Sequence, residues 1–231
     1  MKNYKLILIR HGESEWNKLN QFTGWTDVNI TEKGKKEALQ ASRILKRNGF
    51  NYFDIAYTSL LTRAIHSLWI IIKNLDCAWI PVEKTWRLNE RHYGSLEGLN
   101  KEEIEIKYGS KIVQGWRRSY SSVPPLISDQ KRLELGNKVQ YCNIPISLIP
   151  RSESLELTLI RVIYYWKKNI LPQIKKNKKI IIVAHGNSIR ALVKYLGNIS
   201  DNDVIDLNIE TGKPIIYEFN NFFQPVKYYN L

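Results

Sequence analysis

The sequence predicts an α/β fold with a mostly parallel central sheet flanked by helices on both faces. Three observations predict it. Short, almost continuously apolar runs such as Tyr4–Ile9 and Ile180–Ala184 suit strands buried on both faces. Segments with helical hydrophobic spacing alternate with these runs, the pattern of βα units. The chain has 231 residues, 43% hydrophobic and 25% charged, which is enough for a sizeable core and excludes disordered and collagen-like classes.

The elements follow in order. Tyr4–Ile9 (YKLILI) reads as the first strand. Thr31 is a suitable N-cap for a helix through Lys46, with Ala38, Ala41 and Leu45 on one face and Gly49 as its stop. Phe53–Tyr57 reads as a strand, Arg63–Asn74 as a helix and Trp79–Val82 as a short third strand. Within 152–171, Leu155, Leu159, Val162, Trp166 and Ile170 recur at helical spacing. Ile180–Ala184 is a buried strand, followed by a helix over Ser188–Leu196, and Ile215–Phe219 reads as the last strand. The stretch 94–150 breaks the rhythm with Pro124-Pro125, Pro145 and Pro150 and weak periodicity. It reads as a lid-like excursion of a single domain spanning 1–231.

The charge is the unusual number: 35 Lys+Arg against 22 Asp+Glu, a formal net charge of +13. A nucleic-acid partner, small highly charged anions, or drift toward Lys, Asn and Ile would each produce it. The lysines are scattered, as in Lys33-Lys35-Lys36 and Lys175–Lys179, rather than interleaved with aromatics, so no nucleic-acid partner is expected. No apolar run approaches the ~18 residues of a membrane span, and no membrane partner is expected. The two cysteines, Cys77 and Cys142, cannot make a disulfide framework and suit a reducing, cytoplasmic setting. No His/Cys cluster has metal-ligand spacing, so no metal is expected.

The chemistry gathers at strand ends. Of the four histidines, His11 and His185 each follow a strand-like run and precede a glycine, in Arg10-His11-Gly12 and His185-Gly186-Asn187. In open α/β sheets ligands bind outside the carboxyl ends of the strands. Phe53–Tyr57 runs into Thr58–Arg63, which puts Arg63 near a helix start, where anions are favoured. Arg10 and Arg63 suit phosphoryl oxygens. A neutral imidazole is a competent nucleophile toward phosphorus, and His185, if protonated, would stabilise the transferring group. A carboxyl acid/base is also needed, with Glu90 the first candidate and Glu13 the second.

These residues resemble a known family. Leu8–Asn17 (LIRHGESEWN), Phe22–Asp27 (FTGWTD), Tyr57–Trp69 (YTSLLTRAIHSLW) and Leu88–Lys101 (LNERHYGSLEGLNK) are similar to the cofactor-dependent phosphoglycerate mutases of the histidine phosphatase superfamily. Gly115–Arg118 (GWRR), Ala184–Leu192 (AHGNSIRAL), Leu207–Gly212 (LNIETG) and Ile216–Phe219 (IYEF) extend the resemblance along nearly the whole chain. It implies interconversion of 3-phosphoglycerate and 2-phosphoglycerate through a phosphohistidine primed by 2,3-bisphosphoglycerate, without a metal. It also implies a homodimer or homotetramer. His11 would be the phosphorylated nucleophile and Glu90 the proton donor and acceptor. His185, Arg10, Arg63 and Asn17 would hold the transferring group. Gly12, Glu13, Ser14, Thr23 and Gly24, with Arg91, His92 and Gly186, belong to the motifs that line the substrate. Tyr93, Lys101, Arg117, Arg118 and Asn187 would gather its carboxylate and second phosphate. Arg10, Arg63, Lys101, Arg117 and Arg118 would then oppose about five negative charges on the bisphosphoglycerate.

Three departures from the family stand out. Glu97 replaces a usual glutamine, similar to the phosphatase branches, and leaves a phosphatase of the same fold as the alternative activity. A carboxylate there would repel substrate unless it faces Arg91 or solvent. Leu133–Tyr141 lacks a Pro-Gly-His-like stretch, which alters a loop but touches no catalytic residue. The sequence ends at Tyr228–Leu231 where relatives commonly continue into a polar tail, so more phosphoenzyme is expected to leak to water.

Overall fold

The structure, a computed structural model, describes residues 4–231, so the first three positions of the expected 1–231 domain lie outside the described residues. The strands are β1 (Tyr4–Arg10), β2 (Ile55–Thr58), β3 (Val82–Lys84), β4 (Ile180–Ala184), β5 (Pro214–Phe219) and β6 (Pro225–Asn230). They form a six-stranded sheet in the order β3-β2-β4-β1-β5-β6. Strands β3, β2, β4 and β1 run parallel, while β5 and β6 are antiparallel to their neighbours.

The helices are α1 (Glu15–Lys18), α2 (Glu32–Arg47), α3 (Thr62–Asn74), α4 (Lys101–Tyr108), α5 (Ser110–Arg118), α6 (Asp129–Gly136), α7 (Leu155–Tyr165), α8 (Leu171–Lys175) and α9 (Gly186–Gly197). Alternation along the strands splits the core in two. Leu6, Leu8, Ile180 and Ile182 meet Val162 of α7 and Ile189 and Leu192 of α9 on one face. Ile7, Ile9, Ile181 and Val183 meet Ala38 and Leu45 of α2 and Leu68 and Ile71 of α3 on the other. Burial on both faces is why β1 and β4 read as unbroken apolar runs.

Several boundaries move. Thr31 caps α2 as expected, its hydroxyl accepting the Gly34 amide. The third strand lies at Val82–Lys84, and Trp79 is exposed instead. The helix expected from 152 starts at Leu155, capped by Ser154, and passes through a π turn at Trp166–Ile170 into α8. Pro172 gives the reason: it has no amide to continue the α pattern, and its ring crowds the carbonyl four residues back. Ile215–Phe219 is not the last strand, because β6 pairs with it as a sheet edge. Edge strands lack the buried apolar run that marks central ones. Within 94–150, α4, α5 and α6 bury only Ile104, Val113 and Gly136 respectively, too little to give a clear period.

Candidate active site

The sheet itself brings the two strand-end histidines together. β1 and β4 are parallel neighbours in a register that pairs Arg10 with Ala184. The next residues are therefore adjacent: the His11 amide donates to the Ala184 carbonyl (2.9 Å), and the rings of His11 and His185 lie edge to face with centroids 4.9 Å apart. That is about the width of a phosphoryl group. A Cβ on Gly12 would overlap the carbonyl oxygen of Gly34, so only glycine allows the chain to leave β1 against α2.

The hydrogen bond of His11 defines its tautomer. His11 Nδ1 lies 2.7 Å from the Gly12 carbonyl oxygen, which can only accept. Nδ1 therefore carries the proton, and the Nε2 lone pair is free to attack. His185 Nε2 lies 2.7 Å from Ser59 Oγ, which also accepts the Leu61 amide at 3.1 Å. The Ser59 hydroxyl can donate to Nε2 or accept from it, and His185 Nδ1 is a buried atom with no hydrogen-bond partner. Burial, then the nearby charge of Arg63, holds both imidazoles well below the usual histidine range. This favours neutral His185 before substrate arrives, against the protonated form on which its stabilising role was conditional.

A cavity of about 180 Å³ opens beside the pair: their chain neighbours Arg10 and Gly186 line it, whereas the buried rings of His11 and His185 do not. Among the expected residues, Arg10, Asn17, Thr23, Gly24, Glu90 and Tyr93 line it, as do Lys101, Arg117, Arg118, Gly186 and Asn187. Asn17 completes a capping box with Ser14, whose buried hydroxyl accepts the Asn17 amide. Glu90 Oε1 accepts the Arg91 amide (2.8 Å) and the Asn187 amide (3.0 Å), which ties the carboxylate to the start of α9. Tyr93 OH accepts from Arg91 Nη2 (3.0 Å) and Asn187 Nδ2 (3.3 Å). Burial lowers the Lys101 ammonium, and burial followed by Arg117 lowers Arg118.

Other expected residues sit elsewhere. Arg63 is buried and does not line the cavity; its Nη1 and Nη2 donate to the carbonyls of Thr26 (2.9 Å) and Gly24 (2.7 Å). It brings charge beneath the histidines and ties down the loop over them. Glu13 also lies outside the cavity, held by Lys33 Nζ and Thr31 Oγ1, both at 2.9 Å. Arg91 spans Tyr93 OH and the Arg117 carbonyl from behind the wall, and buried His92 accepts the Gly94 amide (2.9 Å). Gln21, Phe22, Arg190, Asn208 and Ile209 line the cavity without having been expected. Arg190 had a usable signal, because it lies one helical turn beyond Asn187.

Glu97 faces neither Arg91 nor solvent. Its Oε1 accepts the Trp25 amide (2.9 Å) and the Tyr93 amide (3.1 Å). Its Oε2 accepts the Thr26 amide (3.1 Å) and hydroxyl (3.0 Å). The carboxylate thus supports two site loops from beneath, where it meets backbone donors rather than substrate. Gly24 follows from it: φ is +55°, and a Cβ there would overlap Glu97 Oε1. The segment 133–141 lies outside the cavity and packs behind it. The Tyr141 ring packs on Trp25 (5.1 Å), and its hydroxyl accepts from Asn89, the neighbour of Glu90 (3.0 Å).

Comparison with known proteins agrees with this geometry. Residues 6–140 match the histidine phosphatase superfamily (branch 1). The chain is 58% identical over 231 residues to the 2,3-bisphosphoglycerate-dependent phosphoglycerate mutase of Buchnera aphidicola subsp. Baizongia pistaciae, covering 100% of this chain and 99% of the relative. It is 55% identical to the protein of the same name from Blochmanniella pennsylvanica, covering 98% of each. Among solved structures, a mycobacterial glucosyl-3-phosphoglycerate phosphatase superposes with a TM-score of 0.73 at 18% identity, covering 98% of this chain and 97% of the other. The phosphoglycerate mutase of Bacillus anthracis gives 0.66 at 22% identity, covering 94% and 88%; both likenesses bear on the fold alone. With the paired strand-end histidines and near-complete coverage by relatives above half identity, the chain belongs to the histidine phosphatase superfamily, branch 1, in the family of the 2,3-bisphosphoglycerate-dependent phosphoglycerate mutases.

Proposed function

We propose that this chain interconverts 3-phosphoglycerate and 2-phosphoglycerate through a phosphohistidine on His11. The observation that carries the reading is a cavity that joins Arg10, Glu90 and Gly186, beside the buried histidine pair, to Lys101, Arg117 and Arg118, more cationic groups than one phosphate monoester needs. A site with two anionic ends to hold suits a bisphosphoglycerate, which supplies the priming phosphoryl group when bound. Among the described residues no group of three or more His, Cys, Asp or Glu side chains is placed to hold a metal ion, and none is invoked.

His11 is the nucleophile: its Nε2 forms the N–P bond as the P–O bond of the departing oxygen breaks. Arg10 and His185 Nδ1 donate to the transferring oxygens, while Arg63 adds charge from below and Asn17 donates from the wall. Glu90 gives its proton to the departing oxygen. On the primed phosphoenzyme it first takes the proton of the C2 hydroxyl of 3-phosphoglycerate as that oxygen attacks phosphorus and the N–P bond breaks, and the bisphosphoglycerate so formed then returns its 3-phosphoryl group to His11, leaving 2-phosphoglycerate. Tyr93, Lys101, Arg117, Arg118 and Asn187 hold the remaining anionic groups, with Thr23 and Gly24 closing the side.

The same reading covers the surroundings. It takes the chain as one domain working in the cytoplasm as a homodimer or homotetramer, with small phosphoglycerates and neither nucleic acid nor membrane as partners. The open edge of β3 and exposed Trp69 and Trp79 support self-association. Among the described residues no helix is long and apolar enough to cross a membrane. The decisive assay supplies 3-phosphoglycerate with a trace of 2,3-bisphosphoglycerate. We expect 2-phosphoglycerate as the main product, and His11→Ala should form no phosphoenzyme. Free phosphate as the main product, or near-normal turnover by His11→Ala, refutes the reading.

A further inference from the structure

Arg190 is a buried cation in the cavity wall, inside the Ala184–Leu192 stretch but without a role assigned there. It lies on α9 three residues after Asn187, so the two side chains share a face. It is 6% exposed and lines the cavity. Its Nη1 donates to Asn187 Oδ1 (3.2 Å) and, at the limit of a hydrogen bond, to the Arg117 carbonyl (3.5 Å). Its Nε is buried and has no partner.

The charge around it is unbalanced. Among the described residues Arg190 forms no ion pair, whereas Arg117 is paired with Glu105 at 3.0 Å. Burial, then Arg118 and Arg91, push the guanidinium down to about 10, still charged at neutral pH. A buried guanidinium with an unused donor among like charges is stabilised when an anion arrives. The contact with Asn187 has a second effect. It engages the amide oxygen and leaves Asn187 Nδ2 directed at Tyr93 OH.

We propose that Arg190 binds the anionic end of the substrate remote from His11 and, through Asn187, sets the donor that faces it, so that it selects doubly anionic substrates over single phosphates. The inference rests on the function proposed above and adds a residue that sets specificity.

Calorimetric titration of Arg190→Met and Arg190→Lys with 2,3-bisphosphoglycerate, and with orthovanadate as a probe of the His11 end alone, tests it. We expect Arg190→Met to weaken bisphosphoglycerate binding about 10- to 100-fold, as loss of a charge-assisted fork would, and to change orthovanadate binding less than about threefold. Arg190→Lys should restore part of the loss, since it returns the charge without the fork. Without ligand, the Tm of Arg190→Met should not fall, because a like-charge contact is removed. Equal weakening of both ligands with a lowered Tm marks a structural role and overturns the proposal, as does unchanged bisphosphoglycerate binding in both variants. If the wild-type protein binds bisphosphoglycerate no better than orthovanadate, the functional reading fails and this inference with it. If the wild type discriminates and the variants do so equally, only the role of Arg190 fails.

Discussion

His11 and His185 show how a single side chain acquires its chemistry from its neighbours. Each is buried beside arginines, so the neutral imidazole is favoured in the folded protein. In the unfolded chain both return to the ordinary range near 6.5. Below that pH the unfolded chain binds protons that the folded one excludes, so stability falls as pH falls through the window beneath about 6.5 and levels off above it. The slope reaches about 1.4 kcal/mol per pH unit for each histidine. Urea denaturation between pH 7.5 and 5.5 should show this decline, and a His11→Asn/His185→Asn double variant should flatten it. An unchanged slope would mean the two rings are not held neutral. Glu97 makes the complementary point. From sequence its carboxylate suggested repulsion of substrate, yet its oxygens face backbone amides of the loops that line the cavity.

The turn that carries Glu90 depends on α7. Arg161 Nε and Nη2 meet both oxygens of Glu153 (2.6 and 2.8 Å). Its Nη1 donates to the carbonyls of Arg87 (2.8 Å) and Asn89 (3.0 Å), and its Nη2 to that of Glu90 (2.9 Å). Trp25 Nε1 donates to the same Glu90 carbonyl at 2.7 Å. The backbone beneath the acid/base candidate is therefore held by a helix from outside the cavity. Arg161→Met would strand the Glu153 charge and should cost about 3–5 kcal/mol. Adding Glu153→Leu should recover only part of that, because the carbonyls of Arg87 and Asn89 still lack their donor. Urea titrations of the two variants measure this, and a double variant as stable as wild type would show that the carbonyl contacts contribute nothing.

For the molecule as a whole, the +13 charge divides into two populations. Arg10, Lys101, Arg117, Arg118 and Arg190 converge on one cavity. Elsewhere lysines meet carboxylates on the surface, as Lys35 does with Glu32, Lys46 with Asp76 and Lys213 with Glu210. Such exposed pairs contribute little to stability. The convergent group should draw in anionic substrate electrostatically, so the KM for 3-phosphoglycerate should rise about 3- to 10-fold between 0.05 and 0.5 M salt. Steady-state kinetics over that range checks it, and a flat KM would mean that the cavity charges do not act on the approaching substrate.

By itself the sequence determined the α/β class, the central strands and the histidine pair, because apolar runs buried on both faces and glycines at strand ends are local signals. Thr31 as the α2 cap was legible for the same reason. The weakly periodic helices of 94–150 and the edge strand β6 were not, since half-exposed elements carry little pattern. Only the tertiary structure decided what each charged side chain faces. Parallel pairing of β1 with β4 set His11 against His185. The fold also turned Glu13 outward to Lys33, sent Glu97 beneath the loops, and placed Arg190 in the wall. Those outcomes depend on contacts between residues far apart in the chain, where burial and neighbouring charge, rather than residue type, decide what a side chain can do.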